Sequence, residues 1–354
     1  MRNNLRGLGV VRFFFLVSGE NPTLPFAEIE AILESEGHAY SILFKLSQVL
    51  VLESDPKCVE SIAHRSALTR VCGFFIASCR ASVQEILDSI RRADISAYIS
   101  PGESFVVRVR RVRGSSPQID RLLLERRIGE VIFESVKGAK VNLKNPEKIF
   151  FGVLSDDNFV FGLKTAEVKA GKFRKRISRV AFSHSAAMPP KIARCMVNLA
   201  RVRSGDLVLD PFCGTGSFLI EAGLIGCRVV GSDIKRRMVE GSMLNLSACG
   251  VKAEGLLVAD ARSSPYLPRR VDRIVTDPPY GTSTTTLGMD VADVYRNFLS
   301  EAEGILREGG YICLAAPKRI NVSRIAEEIG FKHLESHFMY IHRRLTREIA
   351  VFST

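Results

Sequence analysis

Between Leu207 and Thr276 four short apolar segments succeed one another, each ending at or running straight into an aspartate, and the first opens onto a glycine-rich turn. A strand, a tight turn and a helix in that order form one unit of a parallel α/β sheet, because parallel neighbours need a crossover long enough to hold a helix. The segments are Leu207-Val208-Leu209-Asp210, Arg228-Val229-Val230-Gly231-Ser232-Asp233, Gly255-Leu256-Leu257-Val258-Ala259-Asp260 and Val271-Asp272-Arg273-Ile274-Val275-Thr276. The first continues as Pro211-Phe212-Cys213-Gly214-Thr215-Gly216 and then the helix-like Ser217-Phe218-Leu219-Ile220-Glu221-Ala222; the last exits into Asp277-Pro278-Pro279-Tyr280. Ligands of such sheets sit outside the carboxyl ends of the strands, where these acids fall.

Gly214 and Gly216 carry no Cβ and tolerate positive φ, so backbone there can approach a ligand closely. Dinucleotide sites use such turns to cradle phosphate, but Asp210 would repel it. The turn suits a cationic ligand instead, and S-adenosylmethionine, with an ammonium, a sulfonium and no phosphate, fits. Asp233 follows at the spacing of about 20 residues where an acid takes ribose hydroxyls. Asp260 can accept from the exocyclic amine of adenine. The expected cofactor set is Asp210, Phe212, Gly214, Thr215, Gly216, Asp233, Asp260 and Ala261. Any one of these aspartates reads equally well as a helix cap; three in succession at strand ends argue against that.

Two prolines in a row supply no backbone donor and hold φ fixed, so Asp277 and the Pro278 carbonyl project rigidly as acceptors. Acceptors without donors are what an NH₂ group needs, and the Tyr280 ring after them can stack on a base. Asp277, Pro278 and Tyr280 are the candidate catalytic residues. A rigid turn with a partly buried tyrosine is the plainer alternative, and the glycine turn upstream argues against it.

The formal charge of +12 points to a polyanionic partner. Two tracts carry much of it, Arg108, Arg110, Arg111 and Arg113 on a strand-like stretch and Lys172, Arg174, Lys175 and Arg176 after Gly171; these are the candidate RNA contacts, although charge runs are as often solvated faces. No apolar run reaches membrane-spanning length, and a cytoplasmic protein is expected. The eight cysteines show no zinc-like spacing, so thiols are expected and no metal site.

From Leu207 onward these residues resemble the class I, Rossmann-like methyltransferases that act on exocyclic amines, whose motif is Asp/Asn-Pro-Pro-Tyr. Segments 291–306, 310–316, 322–329, 334–341 and 348–352 read as helix, strand, helix and a closing antiparallel pair, with the basic stretch His342 to Arg347 as its loop. Upstream, Ser18-Gly19-Glu20-Asn21-Pro22-Thr23-Leu24-Pro25 with Glu28 is similar to the ferredoxin-like start of the archaeal and eukaryotic tRNA guanosine-10 N2-methyltransferases. Arg65-Ser66-Ala67-Leu68-Thr69-Arg70 and Val141-Asn142-Leu143-Lys144-Asn145-Pro146 resemble a THUMP domain, an RNA-binding module. Phe182-Ser183-His184-Ser185 and Pro189-Pro190-Lys191-Ile192-Ala193-Arg194 resemble the family's lead-in to its catalytic domain. Ser185 and Thr282 stand where members often carry Pro and Arg.

The resemblance implies an α/β fold: a C-terminal class I Rossmann-like methyltransferase sheet with an N-terminal α+β ferredoxin-like and THUMP region. The expected division is 1–55 ferredoxin-like, 56–168 THUMP, 169–188 linker and 189–354 catalytic. The implied activity is S-adenosylmethionine-dependent methylation of N2 of guanosine-10 in tRNA, once or twice. Residues 282–288 are expected to form a lip over the base, or an ordinary surface loop. A small zinc-binding activator is an implied partner. Rivals are guanine methylation elsewhere in tRNA or in rRNA, DNA adenine methylation, glutamine methylation (which normally carries Asn in place of Asp277) and a non-catalytic RNA-binding protein.

Overall fold

The structure, a computed structural model, describes residues 11–168, 171–185, 187–281 and 290–354. The expected lip at 282–288 lies outside the described residues. Two compact units are present, residues 11–26, 37–64 and 68–168, and residues 27–36, 65–67 and 171 onward.

The first unit is built on β1 (Val11–Val17), β2 (Tyr40–Leu46), β3 (Val49–Ser54), β4 (Thr69–Arg80), β5 (Ser104–Arg111), β6 (Lys140–Val141), β7 (Lys148–Ser155) and β8 (Asn158–Glu167). They form one sheet in the order β2-β3-β1-β4-β8-β7-β5-β6, antiparallel except where β5 meets β6 and β7. A single sheet thus runs through both segments that the sequence reads as separate N-terminal domains. β1 is apolar without alternation because it lies between β3 and β4 with both faces covered; Phe13, Phe14 and Phe15 are fully buried. Gly73 and Gly162 face the Phe14 ring, and a Cβ on either would collide with that ring and with the carbonyl of Leu163 or Phe74. The helices here are α1 (Leu24–Glu36) and α2 (Cys58–Arg65), which both cross into the second unit, and α3 (Val83–Arg92) and α4 (Arg121–Ser135). Ser82 and Asp120 cap the last two by accepting from the first-turn amides. Ile86, Ile90, Ile128 and Ile132 on these helices close a core with Phe105, Phe150, Phe159 and Phe161 of the sheet.

The second unit contains α5 (Gly171–Ile177), α6 (Pro190–Leu199), β9 (Leu207–Asp210), α7 (Ser217–Gly223), β10 (Arg228–Asp233), α8 (Arg236–Ala248), β11 (Gly255–Val258), β12 (Val271–Thr276), α9 (Val291–Ile305), β13 (Leu306–Pro317), α10 (Val322–Ile329), β14 (Lys332–His342) and β15 (Leu345–Ser353). Its sheet runs β11-β10-β9-β12-β13-β15-β14. The first five strands are parallel; β15 inserts antiparallel between β13 and β14. This is the Rossmann-like sheet that the sequence implies. The strand order reverses between β9 and β12, so the two exits Asp210 and Asp277 flank one crevice.

Three local readings change. The basic stretch after Gly171, read as linker, begins with a helix, because Phe173 finds a buried site. β11 ends at Val258, two residues before Asp260. β15 begins at Leu345, so Arg347 belongs to the strand rather than to the loop.

Behind α7 lies a buried ionic cluster. Glu221, 1% exposed, accepts from Arg194 Nε at 2.8 Å and from Arg176 Nη1 at 2.6 Å. A second network ties in residues 27–36 and 65–67: Glu28 accepts from Ser66 Oγ, the Ala67 amide and Asn198 Nδ2, while Arg65 donates to Ser35, Glu36, Asn198 and the Val202 carbonyl. All eight cysteines are free thiols. Among the described residues no helix is long and apolar enough to cross a membrane.

Candidate active site

At the crevice, β9 delivers Asp210 into full burial, where Thr276 Oγ1 donates to its Oδ1 at 2.7 Å and the Phe212 amide at 3.2 Å. Its Oδ2 is buried without a hydrogen-bond partner among the described residues. Burial pushes this carboxyl up to about 8, against the two hydrogen bonds that lower it. A buried carboxyl oxygen left without a partner can accept from a cationic donor once the group is ionised. The turn beyond it adopts positive φ at Gly214 (49°) and Gly216 (81°), and a Cβ at Gly216 would lie 2.5 Å from Ser242 Oγ. Nothing larger than glycine lets α7 start so close to α8.

Asp233 is tied to this turn: its Oδ2 accepts from the Gly214 amide at 3.0 Å and its Oδ1 from the Lys235 amide at 2.9 Å. Asp260 is gripped by Arg262, whose Nε and Nη2 reach both carboxylate oxygens at 2.6–3.1 Å, and this pairing holds its pKa below the usual value. Ala261 is buried beside it, Phe212 packs edge-on against Phe298 at 5.3 Å, and the Thr215 carbonyl accepts from Asn245 Nδ2 at 2.9 Å. Apart from Gly216, the predicted cofactor residues line one cavity of about 350 Å³, which Asp277, Pro278 and Tyr280 also border. Gly216 acts beneath it as the start of α7. Burial pushes the Cys213 thiol up, so it stays protonated as a packing group.

At the other end of the cavity the Tyr280 hydroxyl donates to Asp277 Oδ1 at 2.5 Å and accepts from Arg347 Nε at 2.7 Å. The Arg347 guanidinium lies 5.6 Å from the Tyr280 ring centroid and its Nη2 is 4.0 Å from Asp277 Oδ2. The ring is therefore locked in orientation, its hydroxyl spent on the protein. Burial pushes Asp277 up to about 6, with Arg347 and the Tyr280 hydroxyl opposing. Tyr295, fully buried on α9, holds the Pro278 carbonyl with its hydroxyl at 3.4 Å.

Arg347, Tyr295 and Thr276 are the residues that sequence reasoning missed. Thr276 sits directly before the motif and was legible as a strand end; the other two reach the centre only by folding. Of the basic tracts, Arg108, Arg110, Arg113, Arg174 and Lys175 are exposed. Two of the candidate RNA contacts, Arg111 and Arg176, turn inward instead. Arg111 donates to the carbonyls of Ser116 and Ile119, satisfying a loop that follows β5, and Arg176 neutralises Glu221. Lys172 is partly buried and pushed down to about 8 by that burial and by Arg194 and Arg176.

The model of the family described as "RMKL-like, methyltransferase domain" matches residues 176–347, and that of the THUMP domain matches residues 80–163. A tRNA (guanine(10)-N2)-dimethyltransferase of Methanothermobacter thermautotrophicus is 40% identical over 95% of this chain and 97% of its own length. The chain belongs to the tRNA (guanine(10)-N2)-dimethyltransferase family. A second member, from Methanocaldococcus jannaschii, is 31% identical over 96% of this chain and 98% of its own. Among solved structures, TrmN from Thermus thermophilus matches with a TM-score of 0.55 at 23% identity, covering 97% of this chain and 99% of that one, which shows a shared fold. Family membership makes the protein a methyltransferase with S-adenosylmethionine as its cofactor.

Proposed function

We infer that the protein methylates the exocyclic N2 of guanosine-10 in tRNA, with a second methyl on the same nitrogen as the expected end product. The observation that carries this reading is the pairing, in one cavity, of two acceptors, Asp277 and the Pro278 carbonyl, with a socket for a cationic cofactor at Asp210. S-adenosylmethionine, when bound, supplies a methyl group on a good leaving sulfur. Guanine N2 is a poor nucleophile because its lone pair is delocalised into the ring. Asp277 and the Pro278 carbonyl, by accepting its two N–H groups, favour the pyramidal amine and stabilise the positive charge that develops as the N–C bond forms. A guanine in a stem must leave the stack first, at a cost of a few kcal/mol. Stacking on the fixed Tyr280 ring offsets that cost.

The reading assigns 1–55 to a ferredoxin-like domain, 56–168 to THUMP, 169–188 to the linker and 189–354 to catalysis; the THUMP match at 80–163 supports the second of these. Arg108, Arg110, Arg113, Arg174 and Lys175 are its tRNA phosphate contacts. It places the protein in the cytoplasm. A small zinc-binding activator would add its strand at the sheet edge offered by β11, where Leu257 and Val258 are 41% and 51% exposed.

Two experiments test it. With methyl-labelled S-adenosylmethionine, a tRNA transcript should become labelled on guanine N2, and the same transcript bearing adenosine at position 10 should not. Equal labelling of both would defeat the address, and label on ribose or a ring carbon would defeat the amine chemistry.

The second concerns Asp210. A bound ammonium favours its carboxylate, whereas burial keeps the free protein protonated there up to about 8. Cofactor binding at pH 7 should therefore expel about one proton, and affinity should climb as pH rises toward that value. Calorimetry in two buffers of different ionisation enthalpy measures the release. Asp210→Asn should bind more weakly and release none; equal release from variant and wild type would remove Asp210 as the ammonium partner.

A further inference from the structure

The β14–β15 hairpin carries a surface used by neither the cofactor cavity nor the Asp277 centre. From His337 to Thr346 the chain holds two arginines, Arg343 and Arg344, and no acidic residue. Phe338 and Tyr340 lie two residues apart on the outermost strand and so project from the same face; they are 45% and 75% exposed. Lys318, in the turn after β13, lies 5.1 Å from the Phe338 ring centroid. Next to it, Arg319 donates to the Tyr280 carbonyl at 3.0 Å, which joins this patch to the catalytic motif. β14 is antiparallel to β15, which is antiparallel to β13, so the Tyr340 end of β14 lies at the carboxyl edge of the sheet, the same edge as Asp277. In the turn, Arg343 and Arg344 are exposed, while His342 and Leu345 border the cavity itself.

Two exposed rings bordered by Lys318, Arg319, Arg343 and Arg344 match the chemistry of an unpaired nucleic-acid strand. Rings stack on bases of any sequence, and the cations neutralise its phosphates. A protein partner would instead favour a centre depleted of charge. Extruding one nucleotide from a stem leaves its neighbours unstacked and its phosphates at the rim of the pocket, where this patch stands.

We propose that the exposed face and turn of the β14–β15 hairpin form a second RNA-binding surface, which grips nucleotides flanking the target through Phe338, Tyr340, Arg343 and Arg344. The inference rests on tRNA being the substrate. Full-length wild type is assayed first on the tRNA transcript: failure to methylate it would defeat the functional reading and not this surface. Given wild-type activity, Phe338→Ala with Tyr340→Ala should raise KM for tRNA about tenfold or more, as removal of stacking of this kind implies. Arg343→Ala with Arg344→Ala should also raise KM and lower the logarithmic salt slope of tRNA binding by about 2, one for each phosphate no longer neutralised.

Tyr340→Phe, which keeps the ring, should retain the wild-type KM. In every variant the melting temperature and the calorimetric affinity for S-adenosylmethionine should stay at wild-type values, which separates weakened RNA binding from damage to the fold. Unchanged KM and salt slope in both double variants would overturn the proposal. So would a wild-type dimer that sediments as a monomer once Phe338 and Tyr340 are replaced while KM stays constant, because the patch would then be an interface between copies of the chain.

Discussion

Replacing Asp277 with alanine should lower turnover at saturating tRNA and cofactor by at least about 10²–10³, the scale for loss of one preorganised group aimed at developing charge. Affinity for tRNA and S-adenosylmethionine should change little, because the charge that Asp277 stabilises appears only in the transition state. The carboxylate is the active form, and its folded-state pKa is raised to about 6. Wild-type turnover should therefore be full above that value and fall as pH drops through it; the alanine variant should lack this acid limb. Single-turnover rates across pH check both parts. An alanine variant turning over within a few-fold of wild type would exclude the role.

The second large effect is on stability. Glu221→Ala should destabilise the catalytic unit by about 3–5 kcal/mol, the cost of removing one partner from a buried ion pair. Arg176, 17% exposed, can turn to solvent, but Arg194, 2% exposed and with an Nη2 that has no hydrogen-bond partner among the described residues, cannot. For a unit of this size the change corresponds to a fall in melting temperature of roughly 10 °C. Glu221→Leu combined with Arg194→Met removes both charges and should recover most of the loss, since a packed apolar pair replaces a desolvated ionic one. Differential scanning calorimetry decides: a single variant melting within about 2 °C of wild type would show that the cluster is solvated in solution.

The sequence by itself determined the catalytic sheet. Each strand, the acid at its end, the glycine turn and the Asp277-Pro278-Pro279-Tyr280 exit depend on residues adjacent in the chain, where period, φ tolerance and missing donors act locally. It likewise brought Asp210, Asp233, Asp260 and Asp277 to one cavity, because strand exits of a doubly wound sheet converge. Tertiary structure alone decided how those groups are tuned. Thr276 lies 66 positions from Asp210 and Arg347 lies 67 from Tyr280, yet these hydrogen bonds orient the two carboxyl ends of the site. Arg176 carries the same charge as its exposed neighbours Arg174 and Lys175, and only the buried Glu221 it meets turns it inward. Such pairings leave no periodic trace in a chain, because the partner that supplies the electrostatic gain is fixed by folding and not by spacing.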